Sequence, residues 1–232
     1  MQETGSKPDS RISVKVSLSG YTVNIIKYGV SSSSEWMGAD RFFTAPEFRS
    51  RYDDVSVSLF TPKFSLVPES FFSVEAARSL LKEVADISDS DMVEYVRMPR
   101  LNAVMVYSNT IGETFSKVVS DTVLRSDGSR TKVYPEIFFM LESMEEIPEY
   151  NKVVASFADN VLYLAIAQGR SLQLCSSYQC PDFVTAEYYI FLAMKKLQLN
   201  PEMTTIYFGT PLQYEQEMSL YRYFKAVDRL LR

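Results

Sequence analysis

Histidine is absent from all 232 residues of the chain. That excludes Ser-His-Asp and Cys-His nucleophilic catalysis, HExxH zinc sites and acid–base chemistry by imidazole. Glycine is scarce as well. There are eight, and the closest neighbours, Gly20, Gly29 and Gly38, stand nine positions apart. A Walker A loop and a GxGxxG fingerprint both need closer glycines, so both are excluded. Cysteine occurs twice, at Cys175 and Cys180. The spacing is not a CxxC redox motif, and one possible disulfide in a chain of this size does not make a secreted scaffold. Both cysteines read as small buried hydrophobes. No apolar run approaches the roughly 18 residues that a membrane span needs. Met1 to Ser10 is polar, without an apolar signal region. The expectation is a cytoplasmic protein with no membrane partner. Excess positive charge is also missing. With a net charge of −5 and no basic stripe, nucleic acid is set aside as a partner, because its binding rests on Lys and Arg neutralising phosphates.

What is present is a repeated pattern. Val153 to Ala158 and Val161 to Ala167 are apolar runs separated by Asp159-Asn160, and a third run through Leu172, Leu174 and Ser176 follows Gln168-Gly169. Asp-Asn tolerates positive φ at both positions, which a two-residue hairpin turn requires. The same pattern lies 140 positions earlier: Val14 to Leu18, a turn at Ser19-Gly20, Tyr21 to Tyr28, then Gly29. At that offset Gly20 matches Asn160, Ile26 matches Ile166 and Gly29 matches Gly169. The reading is one fold unit, a meander, used twice.

The rest of the chain fills in around the meanders. Residues 1–10 read as a tail. Ser31 to Ser34 reads as a polar loop, and Trp36 to Phe43 as the third strand of the first meander. Val55 to Phe60 alternates strictly, as a half-buried strand does. Pro62 and Pro68 bracket an edge segment. Ser73 is placed as the cap of a helix carrying Ala77, Leu80, Leu81 and Val84. Val93 to Val96 and Asn102 to Tyr107 read as strands, Asn109 to Val119 as a helix, Ser126 to Ser129 as a turn and Glu136 to Met144 as a helix. Thr185 is expected to cap a helix that Asn200-Pro201 stops. Thr204 to Phe208 reads as a strand, and Leu220, Phe224, Val227 and Leu231 as one face of a last helix. Such alternation implies sheets covered by helices, an α/β arrangement.

Two stretches carry a resemblance. Leu59-Phe60-Thr61-Pro62-Lys63-Phe64-Ser65-Leu66-Val67-Pro68-Glu69, and Tyr188-Tyr189-Ile190-Phe191-Leu192-Ala193 through Lys196-Leu197-Gln198-Leu199-Asn200-Pro201, resemble a bacterial family of uncharacterised proteins, a domain of unknown function. The resemblance runs from about Ser10 onward. It implies an actin-like ATPase fold, with two ribonuclease-H-like halves, each a mixed sheet covered by helices: residues 11–150 and 151–232. In the wider superfamily two hairpin turns, each usually Asp-x-Gly, hold the nucleotide phosphates, and a Gly-Gly turn contacts the nucleoside. The counterparts here are Ser17-Leu18-Ser19-Gly20, Phe157-Ala158-Asp159-Asn160 and Phe208-Gly209-Thr210. The first has no carboxylate, the second an Asp without a following glycine, and the third a single glycine.

The candidate cofactor-binding residues are therefore Ser17, Ser19, Gly20, Asp159, Asn160 and Gly209. Asp159 could hold Mg²⁺, or simply make its turn. The Ser-Gly pair could donate to a phosphate or make an ordinary hairpin, and Gly209 could admit a base or end a strand. No catalytic residue and no protein metal site is read. The leading expectation is a non-catalytic protein-interaction or scaffold role with no cofactor; the alternative is a Mg-ATP-dependent ATPase or kinase with divergent turns. Aromatics at Tyr188-Tyr189 to Phe191, and at Tyr221, Tyr223 and Phe224, fall on more than one helix face. They either fill the core or meet a protein partner.

Overall fold

The computed structural model describes residues 10–42, 44–110, 125–129 and 131–230. Its described residues pack into two compact units. One takes its described residues from 1–59 and 110–134, the other from 60–109 and 135–232.

The first unit is organised on a hairpin of β1 (Ser10–Val16) and β2 (Gly20–Lys27), extended by β3 (Val30–Ser33) and a short β4 (Met37–Gly38). β5 (Asp54–Leu59) lies parallel to β1, and β9 (Val133–Pro135) lies beside β5. The strand order is β3-β2-β1-β5-β9, with β4 pairing β2. Ile12, Val14, Val16, Val55, Val57 and Leu59 are buried together with Tyr21, Phe42 and Tyr52. Their period of two is what a strand with one core-facing side requires. Tyr21 meets Phe42 edge-on, with ring centroids 5.2 Å apart.

The second unit holds two sheets. In the smaller, β6 (Phe64–Pro68), β8 (Ala103–Ser108) and β7 (Val93–Met98) run antiparallel in the order β6-β8-β7. The proline-bracketed β6 is the expected edge strand. α1 (Ala77–Lys82) buries Ala77 and Leu81 among Val67, Ile87 and Val106 of this sheet's core. In the larger sheet, β10 (Asn151–Ala158), β11 (Val161–Gln168) and β12 (Ser171–Gln179) form the meander, and β13 (Thr205–Phe208) and β14 (Ala226–Arg229) continue it in parallel. The order is β12-β11-β10-β13-β14. The helices are α2 (Glu136–Ser143), α3 (Phe183–Lys196) and α4 (Tyr214–Tyr221). α3 sets Ala186, Ile190, Ala193 and Met194 against Leu162, Leu164 and Ile166 of β11.

The two five-strand paths share one strand order, and the repeated meander is present in both, but the equivalence is at 141 positions and not 140. Val16 pairs Tyr21 where Phe157 pairs Leu162, and Ser10 pairs Lys27 where Asn151 pairs Gln168. The first turn is thus Leu18-Ser19, the counterpart of Asp159-Asn160, and Gly20 is the first residue of β2 instead of a turn residue. Because side chains alternate, a one-residue slip reverses which face each occupies.

Other expectations shift for local reasons. Ser31 to Ser33 are strand, not loop. β3 is a wholly exposed edge, so nothing selects apolar residues there. Trp36 to Phe42 contributes only the two-residue β4 before a 3-10 turn over Ala39–Arg41. The cap of α3 is Asp182, whose carboxylate accepts from Thr185 N at 2.7 Å. α3 ends at Lys196, and Asn200 instead caps the 3-10 turn Pro201–Met203. The last helix stops at Tyr221, and Val227 lies in β14. The helical spacing of Leu220, Phe224 and Val227 spans a helix, a loop and a strand that all face one core. The helix expected over Asn109 to Val119 lies almost entirely outside the described residues. No described helix is long and apolar enough to cross a membrane.

Candidate functional site

The second hairpin folds as its residues dictate. Asp159 and Asn160 take φ values of 50° and 59°, the left-handed pair that a two-residue turn of this kind needs. Asn160 O accepts from Cys180 N at 2.7 Å, tying the turn to the segment before α3. β13 runs parallel to β10 with Ala155 opposite Phe208, so the Gly209-Thr210 turn emerges at the same end of the sheet as Asp159-Asn160. Gly209 N donates to Ala155 O at 2.8 Å, and Phe157 N donates to Thr210 Oγ1 at 3.0 Å. The structure therefore brings Asp159, Asn160 and Gly209 to one end of one sheet. Ser17, Ser19 and Gly20 belong to the other unit.

In the first unit, Ser17 is fully buried and closes its turn. Its amide donates to Gly20 O at 2.8 Å, and its hydroxyl donates to the same carbonyl at 3.3 Å and shares a hydrogen bond with Ser19 Oγ at 3.1 Å. Gly20 is explained by packing. A Cβ there would lie 2.0 Å from Met37 O and 3.1 Å from Trp36 Nε1. The space that a phosphate-cradling glycine would leave open is filled by β4.

Residues that were not singled out in the sequence surround the second turn. Glu136, the first residue of α2, is wholly buried, and Ser156 Oγ donates to its Oε1 at 3.4 Å. Tyr163 pairs with Ser156 across β10 and β11. Burial pushes its hydroxyl well above its ordinary value, and the Asp159 and Glu136 carboxylates push in the same direction. Tyr163 is therefore held as the neutral phenol, a donor and not a base. No sequence signal marked Glu136, since a glutamate at a helix start reads as a favourable charge at the positive end of the dipole. The cysteines are both free. Burial raises the Cys175 thiol to about 12 and the Cys180 thiol above its ordinary value, so neither supplies a thiolate.

Asp159→Asn tests what the Asp159 carboxylate contributes. Asn keeps the turn's φ preferences, so the expected change in stability is within about 0.5 kcal/mol. Thermal melts of the two proteins should nearly coincide, and a loss of more than about 1.5 kcal/mol would assign the charge a structural role beyond the turn.

Comparison with solved structures gives the fold. A protein of Bacteroides thetaiotaomicron described as having an actin-like ATPase fold and unknown function is similar over 99% of this chain and 93% of its own, with a TM-score of 0.66 at 16% identity. A chain of the PilM-PilN type IV pilus biogenesis complex is similar over 94% of this chain and 87% of its own, with a TM-score of 0.53 at 14% identity. At these identities the likeness shows the fold alone, and that fold is actin-like, in agreement with the two sheets of one strand order. No curated protein matches the sequence. The family model described as "Protein of unknown function (DUF3822)" matches residues 30–227, and the chain belongs to that family.

Proposed function

We propose that this protein is a non-catalytic member of the actin-like fold that acts through contacts with another protein. The observation that carries the reading is a set of exposed tyrosines on and around two helices of the second unit. Tyr188 is 60% exposed on α3, Tyr214 and Tyr221 are 72% and 45% exposed on α4, and Tyr223 just beyond it is 52% exposed. Tyrosine offers a large, amphipathic and conformationally restricted contact surface, and it is enriched at interface centres. Among their neighbours, Phe191 packs edge-on against Tyr223 at 5.1 Å and stacks on Phe224 at 5.6 Å. The aromatic surface is thus anchored in the core and not held by flexible chain.

Two further points support it. Donors that a nucleotide phosphate would require are engaged within their own units: Ser17 with Gly20 and Ser19, Gly209 N with Ala155 O, and Phe157 N with Thr210 Oγ1. So engaged, these residues do not fit a phosphate chain. The similar chain of the PilM-PilN complex, in turn, is one that works in an assembly with another protein.

The test is a thermal melt with and without Mg-ATP, together with phosphate release. A ligand at 100 times its Kd adds about 2.7 kcal/mol to the native state that binds it. The expected result is no shift at millimolar Mg-ATP and no hydrolysis. A reproducible upward shift, or turnover abolished by Asp159→Asn with the fold intact, would restore an ATPase or kinase reading.

A further inference from the structure

Among the described residues β12 is an edge strand, paired with β11 on one side only. Its nine residues, Ser171 to Gln179, include no charge and no proline. Natural edges are ordinarily blunted by lysine, proline or a bulge, because their open amides and carbonyls recruit further strands. β12 has one such device, a register shift where Ile166 faces Leu174 and Ala167 faces Leu172. The run from Leu174 to Gln179 beyond it has none. Beside this run lies a groove of about 340 Å³ between β12 and α3, lined by Leu174, Tyr178, Tyr189, Leu192, Lys196 and Leu197. Tyr178 and Tyr189 stack across it with centroids 4.7 Å apart and planes 15° from parallel. Tyr188 packs edge-on against Tyr189 at 5.5 Å and stands 60% exposed at the rim. The opposite face of β12 is engaged where Ser177 Oγ donates to Pro62 O at 3.4 Å, so the approach left open is along the edge and over α3.

Charge decides what fits there. Lys195 and Lys196 form the last turn of α3, and both are exposed. Tyr178 stands opposite Tyr189, and Leu174 near Leu197. With rises of about 3.3 Å per strand residue and about 1.5 Å per helix residue, mid-strand Cys175 lies level with these two lysines, of which Lys196 lines the groove and Lys195 is its exposed neighbour on the helix. A second copy of the chain paired antiparallel about mid-strand would set the two lysine pairs face to face. A strand bearing a carboxylate at that point would neutralise them. We infer that β12 and the α3 groove accept an extended segment of a partner protein as an added strand, with apolar side chains facing the groove and Asp or Glu meeting Lys195 and Lys196. This is strand addition, in which main-chain hydrogen bonds supply affinity and alternate side chains supply specificity. It rests on the protein-interaction reading above and names the partner's chemistry.

The experiment uses the whole chain and fluorescein-labelled peptides followed by anisotropy. The probes are Val-Thr-Leu-Thr-Glu-Thr-Glu, the same sequence reversed, and versions with lysine in place of glutamate. The expected result is saturable binding of at least one acidic peptide, weakened at least about tenfold by the double variant Lys195→Glu, Lys196→Glu and by added salt, with the lysine peptides not bound. Tyr188→Ser, at an exposed rim position, should weaken the same peptide while the melt stays unchanged. Absence of saturable binding, or binding indifferent to charge reversal, would overturn the proposal. So would a micromolar dimer in sedimentation that the peptides displace, since the occupant would then be a second copy. The Mg-ATP melt does not depend on β12, so failure of this site and failure of the interaction reading give different results.

Discussion

Gly20→Ala is expected to destabilise the first unit by about 3 kcal/mol, the upper end of what overpacking costs. The added Cβ would stand 2.0 Å from Met37 O and 2.9 Å from Met37 C. Both are backbone atoms, so no rotamer change relieves the clash. β4 must leave β2, and Tyr21, which pairs with Met37 and packs under Phe42, loses its lid. For a chain of this length such a loss lowers the melting temperature by roughly 6–12 °C. Gly29→Ala is the internal control. Nothing lies within 4 Å of a Cβ there, and only its φ of +80° resists a side chain, at a cost of about 1 kcal/mol. Equal melts for the two variants would refute a steric role for Gly20. The larger effect at Gly20 would also explain the glycine without any bound phosphate.

Asp91→Ala is the second large effect, expected near 3 kcal/mol. Asp91 is 6% exposed. Its Oδ2 accepts from Lys63 Nζ at 2.8 Å, from Ser88 N at 2.8 Å and from Ser88 Oγ at 2.9 Å, and its Oδ1 accepts from Ser108 Oγ at 2.8 Å. One side chain thus joins the segment entering β6, the loop before β7 and the end of β8. Removing it leaves Lys63 and the buried Ser108 without those bonds, and breaking a buried charge pair costs about 3–5 kcal/mol; the partial exposure of Lys63 places this one at the low end. Burial by itself would raise the Asp91 carboxyl, but the hydrogen bonds from Lys63, Ser88 and Ser108 outweigh it and hold the group well below the usual carboxylate range. The folded-state value is the depressed one. The stabilisation is therefore complete above the unfolded value of 3.8 and is lost as pH falls below it towards the folded value. Denaturant melts should show a constant gap between the wild type and Asp91→Asn from neutral pH down to about 5, closing as the pH drops further. A gap that widens on acidification would contradict this.

The two effects differ in kind from the quiet change expected of Asp159→Asn. Asp159 is a turn residue with its backbone in the left-handed region. Gly20 and Asp91 act through partners distant in sequence: Met37 for one, Lys63 and Ser108 for the other.

Local chemistry was sufficient for part of this protein. The apolar runs Val153 to Ala158 and Val161 to Ala167, with Asp-Asn between, dictate a hairpin because both turn residues accept positive φ. The prolines around β6 dictate an edge because proline cannot donate to a ladder on both sides. The lack of histidine and of close glycines removes whole mechanisms by composition alone. Tertiary structure decided the rest. Sequence alone assigns Gly20 to a turn, since glycine is the usual turn residue; only the register of β1 on β2, with Val16 opposite Tyr21, and the pairing with Gly38 of β4 make it a strand residue and move the repeat from 140 to 141 positions. Leu220, Phe224 and Val227 carry helical spacing, yet Val227 is in a strand, because the hydrogen bonds that make β14 come from β13 and leave no trace in its own four residues. Ser31 to Ser33 look like loop because a strand exposed on both faces needs no apolar side chains. Glu136 and Thr210 gained their place beside the second turn only when α2 and β13 packed on β10, and the open edge of β12 exists only because the sheet ends there.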